Sequence, residues 1–365
     1  MRIIIFGLTV SSSWGNGHAS LWRGMLTALA RQGHEVVFFE KIVSYYADTQ
    51  DAWPIPTGVE LRFYDDLDDI AEKLPAEMHR ADVAMVTSYC PSGAEVCHLV
   101  MEHAKGLTVF YDMDTPVTLQ SLRRGSKMFY LPEEGLGAFD LVLSFTGGRA
   151  LTDLRSRLGA KRVQPLYGWV DGRFYHQVQP CAEYSSALNY LGTYAADRQE
   201  ALQELLLKPA QRCPGQRFFI AGAQYPADFP WAANIHFVRH LPPDLHPAFF
   251  CSGRATLNVT RGAMKEFGYC PSGRLFEAAA CGVPIVTDVW EGLEEFFRPG
   301  IEILPVETSQ QVTEMLEMSD RELRQIAGAA QTRVMENHTA ESRACQLIHI
   351  FEDCHGTTAK SSIAA

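Results

Sequence analysis

The apolar residues of this chain fall into short, nearly continuous runs that alternate with longer segments of helical spacing. Arg2 to Val10 forms the first run; a Ser/Gly loop follows, and then LWRGMLTALARQG, whose apolar positions recur at three and four residues. Gly33 stands where a helix C-cap is expected. EVVFFE comes next, an uninterrupted apolar stretch of the kind buried on both faces of a parallel sheet. The opening therefore predicts strand, loop, helix, strand.

The alternation continues through DVAMVTSY, LTVFYDMD and DLVLSFT, each closing on polar or Gly-rich residues and separated by segments long enough for crossovers. After RVQPLYGWVDGRFY, rich in Pro, Gly and aromatic residues, a second series begins with LNYLGTY, QRFFIAGA, NIHFVRHL, ATLNVTR and VPIVTD. The expectation is an α/β chain of two Rossmann-like, doubly wound domains facing an interdomain cleft, the first over 1–170 and the second over 171–340. A last segment, 341–365, is expected to be a C-terminal helix packing back on the first domain, with a tail. From Asp320 to about Cys354 the pattern is helical, and GTTAKSSIAA beyond it reads as frayed. Sheets of this kind bind ligands beyond the carboxyl ends of their strands, so the loops there are where chemistry is expected.

Composition narrows the classes. A chain of 365 residues, 47% hydrophobic and 21% charged, has the material for two cores. Its formal net charge of -11 argues against a nucleic-acid partner or an anionic membrane surface. No apolar run approaches the roughly 20 residues of a membrane span, and IIIFGLTV, short and without a cleavage site, reads as a strand rather than a signal peptide. The nine cysteines form no CxxC pair and no zinc-like spacing, which suits a reducing cytoplasm.

The loop after the first run reads Ser13-Trp14-Gly15-Asn16-Gly17-His18. Gly15 and Gly17 let backbone approach a ligand closely, and the start of the next helix offers free N–H groups, so an anion is the natural guest. The dinucleotide fingerprint G-x-G-x-x-G is nearly present, with Ser20 in place of its third glycine and Glu40 about where a ribose-binding acid belongs. An NAD- or FAD-dependent oxidoreductase is thus one alternative, whereas a Walker A loop is excluded because no GK[ST] follows Gly17. His18 is open between a ligand contact and an ordinary capping or core histidine.

The most informative stretch is SGRLFEAAACGVPIVTD, Ser272 to Asp288. Arg274 and Glu277, three apart, share one helix face, while Leu275, Phe276, Ala279 and Ala280 pack inward. A guanidinium that can hold phosphate and a carboxylate that can accept from ribose hydroxyls suit a nucleoside diphosphate-sugar.

FEAAACGVPIV, YGWVDGRFY and YLGTYAADRQ together resemble motifs of the GT-B glycosyltransferases, in particular the retaining family-four branch and its CgeB-like relatives, and the resemblance spans nearly the whole chain. It implies that Glu277 binds ribose and that Arg198 contacts phosphate. Thr193 stands where the family has a neighbouring Arg, and Arg261 and Arg274 are the candidates to replace that contact. Gly192 and Arg239 complete the donor-binding set, with Gly15, Asn16 and Gly17 approaching the donor from the first domain. His18 would be a phosphate or sugar contact, or a proton carrier. The earlier of the family's paired glutamates falls on Tyr269 by spacing and on Glu266 by context, so retention is implied by the branch and not by the residues.

Asp112-Met113-Asp114 looks like the DxD metal motif of a different fold, but here Arg, Lys and helix dipoles are expected to neutralise the diphosphate, with no metal and no other cofactor. Strand alternation puts Asp112 and Asp114 on one side, where either could orient or deprotonate an acceptor hydroxyl; Asp114-Thr115-Pro116 equally reads as helix-start chemistry. Arg123, Arg124 and Lys127 read as a solvated helix face or as contacts to an acidic acceptor. Tyr225, Phe229 and Trp231 read as nucleobase flanks or as cover for a hydrophobic edge. The resulting function is transfer of a sugar from a nucleoside diphosphate-sugar, UDP-sugar by default, to an unidentified acceptor. The alternatives are the oxidoreductase, a sugar-nucleotide epimerase, and a non-catalytic nucleotide-sugar-binding protein.

Overall fold

A computed structural model of the protein describes residues 1–15 and 17–363. The chain divides into two compact units: Met1–Tyr167 together with the segment from Ala340 onward, and Gly168–Thr339 between them.

The first unit is built on seven parallel strands, β1 (Arg2–Gly7), β2 (Glu35–Lys41), β3 (Val59–Tyr64), β4 (Val83–Thr87), β5 (Leu107–Asp112), β6 (Leu141–Ser144) and β7 (Val163–Pro165). Their order is β3-β2-β1-β4-β5-β6-β7. The continuous apolar runs lie in the middle: every residue of β4, β5 and β6 is buried. VELRFY is half-exposed at the edge, which is why its pattern does not stand out as a strand. The helix Ala340–Ile363 returns to this unit and packs on the helix His18–Arg31, burying Ala344, Leu347 and Phe351. Gln32 Nε2 donates to the Glu341 carbonyl at 3.3 Å and Arg343 Nε to the Tyr167 carbonyl at 3.2 Å. The helix continues to Ile363, through most of the stretch expected to fray.

The second unit repeats the plan with six parallel strands, β8 (Leu188–Leu191), β9 (Phe218–Ala221), β10 (Ile235–Val238), β11 (Thr256–Asn258), β12 (Ile285–Asp288) and β13 (Leu304–Val306), in the order β10-β9-β8-β11-β12-β13. Leu188, Tyr190, Phe218, Ile220, Leu257 and Val286 point from these strands into one core with Leu205, Leu206 and Leu207. Both sheets reverse direction once, between β1 and β4 and between β8 and β11. At such a reversal adjacent loops diverge and leave a crevice for a ligand.

Candidate functional site

In the first unit the crevice is bounded by the loops after β1, β4 and β5. The β1 loop is clamped from beneath by Glu40. That carboxylate, 2% exposed, accepts from Val10 N at 2.7 Å, Ser11 N at 3.1 Å, Ser11 Oγ at 2.5 Å and Thr9 Oγ1 at 2.8 Å. Glu40 is therefore spent on the loop and is not available to a ribose, which corrects the assignment the dinucleotide reading requires. Asp51 holds the other side, accepting from Ser13 N and from Arg23 Nη2, both at 2.7 Å. Gly15 follows with φ +68°, a conformation that favours glycine, and Gly17 stands at the N-cap of the helix His18–Arg31. Asn16 lies outside the described residues.

His18 opens that helix, and its Nε2 is 2.8 Å from Asp114 Oδ2, a pairing across 96 residues of sequence. Asp114 occupies the N-cap of the helix Thr115–Arg123, yet its side chain makes no capping bond there. The carboxylate faces His18 instead, so the helix-cap reading is corrected. Asp112 is corrected as well. It is fully buried, and its Oδ1 accepts from Asp114 N and Thr118 Oγ1, each at 3.1 Å. Burial pushes its carboxyl up to about 7, against the help of the Thr118 hydroxyl. Alternation places both acids at the strand's end, but β5 stops at Asp112 and the turn into the helix carries only Asp114 to the surface.

In the second unit the crevice lies between the loops after β8 and β11, and an ion pair joins them: Arg261 Nε to Asp197 Oδ2, 2.9 Å, with Gly262 N donating to the same oxygen at 2.9 Å. Gly192 begins the first loop. A Cβ there would stand 2.6 Å from the Tyr190 hydroxyl, so only glycine lets the chain pass. Its carbonyl accepts from the Tyr225 hydroxyl at 3.1 Å, and the Thr193 carbonyl accepts from Arg198 Nη1 at 3.1 Å. Arg198 is thus fixed by the backbone of the residue that lacks a cationic side chain. It is 9% exposed, and among the described residues its Nε has no hydrogen-bond partner. Burial lowers its affinity for the proton, and the Arg274 and Arg261 charges act in the same direction.

Arg274 and Glu277 belong to the helix Gly273–Ala280, whose N-cap Ser272 makes no side-chain cap. Burial raises the Glu277 carboxyl, while Arg274 and the Tyr175 hydroxyl pull it back. Tyr175, 5% exposed, lies between that carboxyl and His246 Nδ1, 3.3 Å away. The His246 Nε2 is 3.1 Å from the Leu241 carbonyl, and burial lowers this imidazole to about 4, so it is neutral at physiological pH. Arg198, Arg274 and Glu277 therefore share one electrostatic neighbourhood with Tyr175 and Tyr225. The sequence reading missed Tyr175 and His246. YGWVDGRFY was a signal for the first, and nothing marked the second.

Other expected residues fall outside this group. Arg239 is exposed beyond the edge strand β10, and among the described residues its side chain makes no hydrogen bond or ion pair. Tyr269 has φ +48° and donates its N–H to the Glu291 carbonyl; Glu266 is exposed on the helix Gly262–Phe267. Phe229 and Trp231 lie 4.5 Å apart and Trp231 and Phe237 4.7 Å, their rings tilted, and Tyr225 meets Phe237 edge-on, so the aromatic cluster packs on β10. Arg123 pairs with Asp153 and Lys127 with Glu133 on the surface; Arg124 is exposed.

Comparison with solved structures decides the architecture. The sucrose-phosphate synthase of Thermosynechococcus elongatus superposes with TM-score 0.70 at 12% identity, over 98% of this chain and all of that one. Anabaena HepE, solved with UDP and glucose, gives 0.66 at 13% identity, over 97% of this chain and all of that one. The fold is that of the GT-B glycosyltransferases. The lipopolysaccharide outer core galactosyltransferase WaaB shares it at TM-score 0.57 and 12% identity, over 97% of this chain and all of that one. A glycosyl transferase-like sequence family matches residues 198–349, the stretch that contains Arg198, Arg261, Arg274 and Glu277. No curated protein matches the chain in sequence. The chain therefore has a GT-B fold, and residues 198–349 within it are glycosyl transferase-like in sequence. Among the described residues no helix is long and apolar enough to cross a membrane.

Proposed function

We propose that the chain transfers a sugar from a nucleoside diphosphate-sugar, a UDP-sugar in first place, to an acceptor hydroxyl, as a CgeB-like GT-B enzyme. The observation that carries this is the gathering of Arg198 and Arg274 beside Glu277 at the switch point of the second sheet. Arg198 and Arg274, with Arg261 behind Asp197, stabilise the negative charge that grows on the leaving diphosphate. Arg198 is held by the Thr193 carbonyl before the reaction begins, so little reorganisation of it is needed. Glu277 accepts from ribose hydroxyls, and a ligand that supplies those donors favours its ionised form. With two guanidiniums and an uncapped helix start available, the diphosphate needs no resident metal in this reading. In the first unit the His18–Asp114 pair takes the acceptor's proton.

That Anabaena HepE was solved with UDP and glucose supports UDP as the first nucleotide to try. The test is a thermal-shift screen against UDP, GDP, dTDP, ADP, NAD and FAD. Saturation at about 100 times Kd adds roughly 2.7 kcal/mol, enough to raise the melting temperature by several degrees. A selective shift with one nucleoside diphosphate is expected. A shift with NAD or FAD alone would reject the transferase reading.

A further inference from the structure

We propose that the aromatic surface formed by Tyr89 and Phe129 beside the His18–Asp114 pair is the acceptor subsite, and that it binds a hydroxyl-bearing ligand by an apolar ring face, pyranose or aryl. This rests on the transferase reading for its role and on the first unit alone for its geometry.

The argument begins with the backbone after β4. Tyr89 has φ +62° and Ser92 φ +55°, so two non-glycine residues within four occupy the left-handed region. Each is strained for a residue with a side chain and persists only where its surroundings hold it there. A glycine would relax Tyr89 but would remove its ring. That ring stands edge-on to His18 at 5.9 Å and tilted against Tyr130 at 5.1 Å. Phe129 completes the surface, 6.2 Å from Tyr89 and 5.2 Å from Tyr130, with 57% of its area exposed.

The platform is rigid from below. Tyr130 is fully buried and its hydroxyl is 2.8 Å from Thr118 Oγ1, which in turn donates to Asp112. Gly93, at the start of the helix Gly93–His103, packs so closely that a Cβ would stand 2.8 Å from the Tyr130 backbone, and Ala94 N donates to the Phe129 carbonyl at 3.3 Å. Phe129 therefore projects from fixed backbone rather than from a loose loop. All of this lies at the switch point of the first sheet, where β4 flanks β1. Flat aromatic faces bind the C–H faces of sugars and other rings by dispersion, while the nearby pair handles the hydroxyl.

The test is saturation-transfer NMR on the full chain with two probes, cellobiose, which offers only pyranose faces, and 4-hydroxybenzyl alcohol, which offers only an aryl face. At least one probe is expected to bind the wild type. Phe129→Ala should weaken that binding about 2- to 12-fold and Phe129→Tyr should restore it, with UDP affinity unchanged in both. Cellobiose alone would assign a saccharide acceptor, and the alcohol alone an aryl one. Binding of neither probe, or equal binding to Phe129→Ala, overturns the subsite. Wild-type protein that binds a probe through Phe129 but no nucleoside diphosphate would instead overturn the transferase reading and leave the subsite standing.

Discussion

Arg274→Ala puts the donor site to its most direct test. Arg274 is half-buried on the first turn of the helix Gly273–Ala280, near enough to Arg198 to depress that guanidinium and near enough to Glu277 to oppose the rise that burial imposes on it. Removing it takes one charge-assisted contact from the bound diphosphate, worth about 1.5–3 kcal/mol. The dissociation constant for UDP should then rise roughly 10- to 150-fold. In the unliganded protein two consequences oppose each other: Arg198 is relieved of a like charge, and Glu277 loses its nearest cation and shifts further upward. The melting temperature without nucleotide should accordingly change little. Isothermal titration with UDP at low salt reads the loss, and Arg239→Ala, at an exposed side chain with no hydrogen bond or ion pair among the described residues, serves as the control. An Arg274→Ala affinity within twofold of wild type would refute the assignment.

Two further substitutions separate the acids of the first unit. Asp114→Asn should lower turnover by roughly 10²- to 10⁴-fold while UDP affinity stays near wild type, because the lost group serves proton transfer; wild-type turnover in steady-state kinetics would exclude it. Asp112 holds its proton in the folded state up to about 7, above its ordinary 3.8, so the stability that proton contributes is full below the unfolded value and is lost as pH rises through 7. Asp112→Asn, neutral at every pH, should remove that decline and make the protein more stable than wild type at pH 8, by at most about 4 kcal/mol. Melting curves from pH 4 to 8 with the same slope for both proteins would reject the buried, protonated Asp112.

The central strands were legible because their residues are buried on both faces and read as unbroken apolar runs. β7 and β13 were not, since three residues are too few to carry a period, and β3 was hidden by its half-exposed edge position. Arg274 and Glu277 were legible because helical spacing of three is local information. The His18–Asp114 pair was not, because two residues 96 apart meet only through the order of β1, β4 and β5. Glu40 shows the same limit from the other side: its position at the end of β2 fits a ribose ligand, and only the inward turn of the β1 loop reveals that four protein donors already claim it. Tyr175 lay within a motif, but its meeting with His246 joins residues 71 apart.

The return of the helix Ala340–Ile363 to the first unit has a consequence for the order in which the protein is made. The first unit is discontinuous, and the whole of Gly168–Thr339 is synthesised before the segment that covers the helix His18–Arg31 leaves the ribosome. Until then the nascent first unit displays an uncovered apolar face, whereas the second unit has its entire core encoded in one stretch and can fold as soon as it emerges. Gln32 and Tyr167 wait for Glu341 and Arg343 through that whole interval. The unit translated first is therefore the one completed last, and chaperone dependence during synthesis should track the first unit rather than the second.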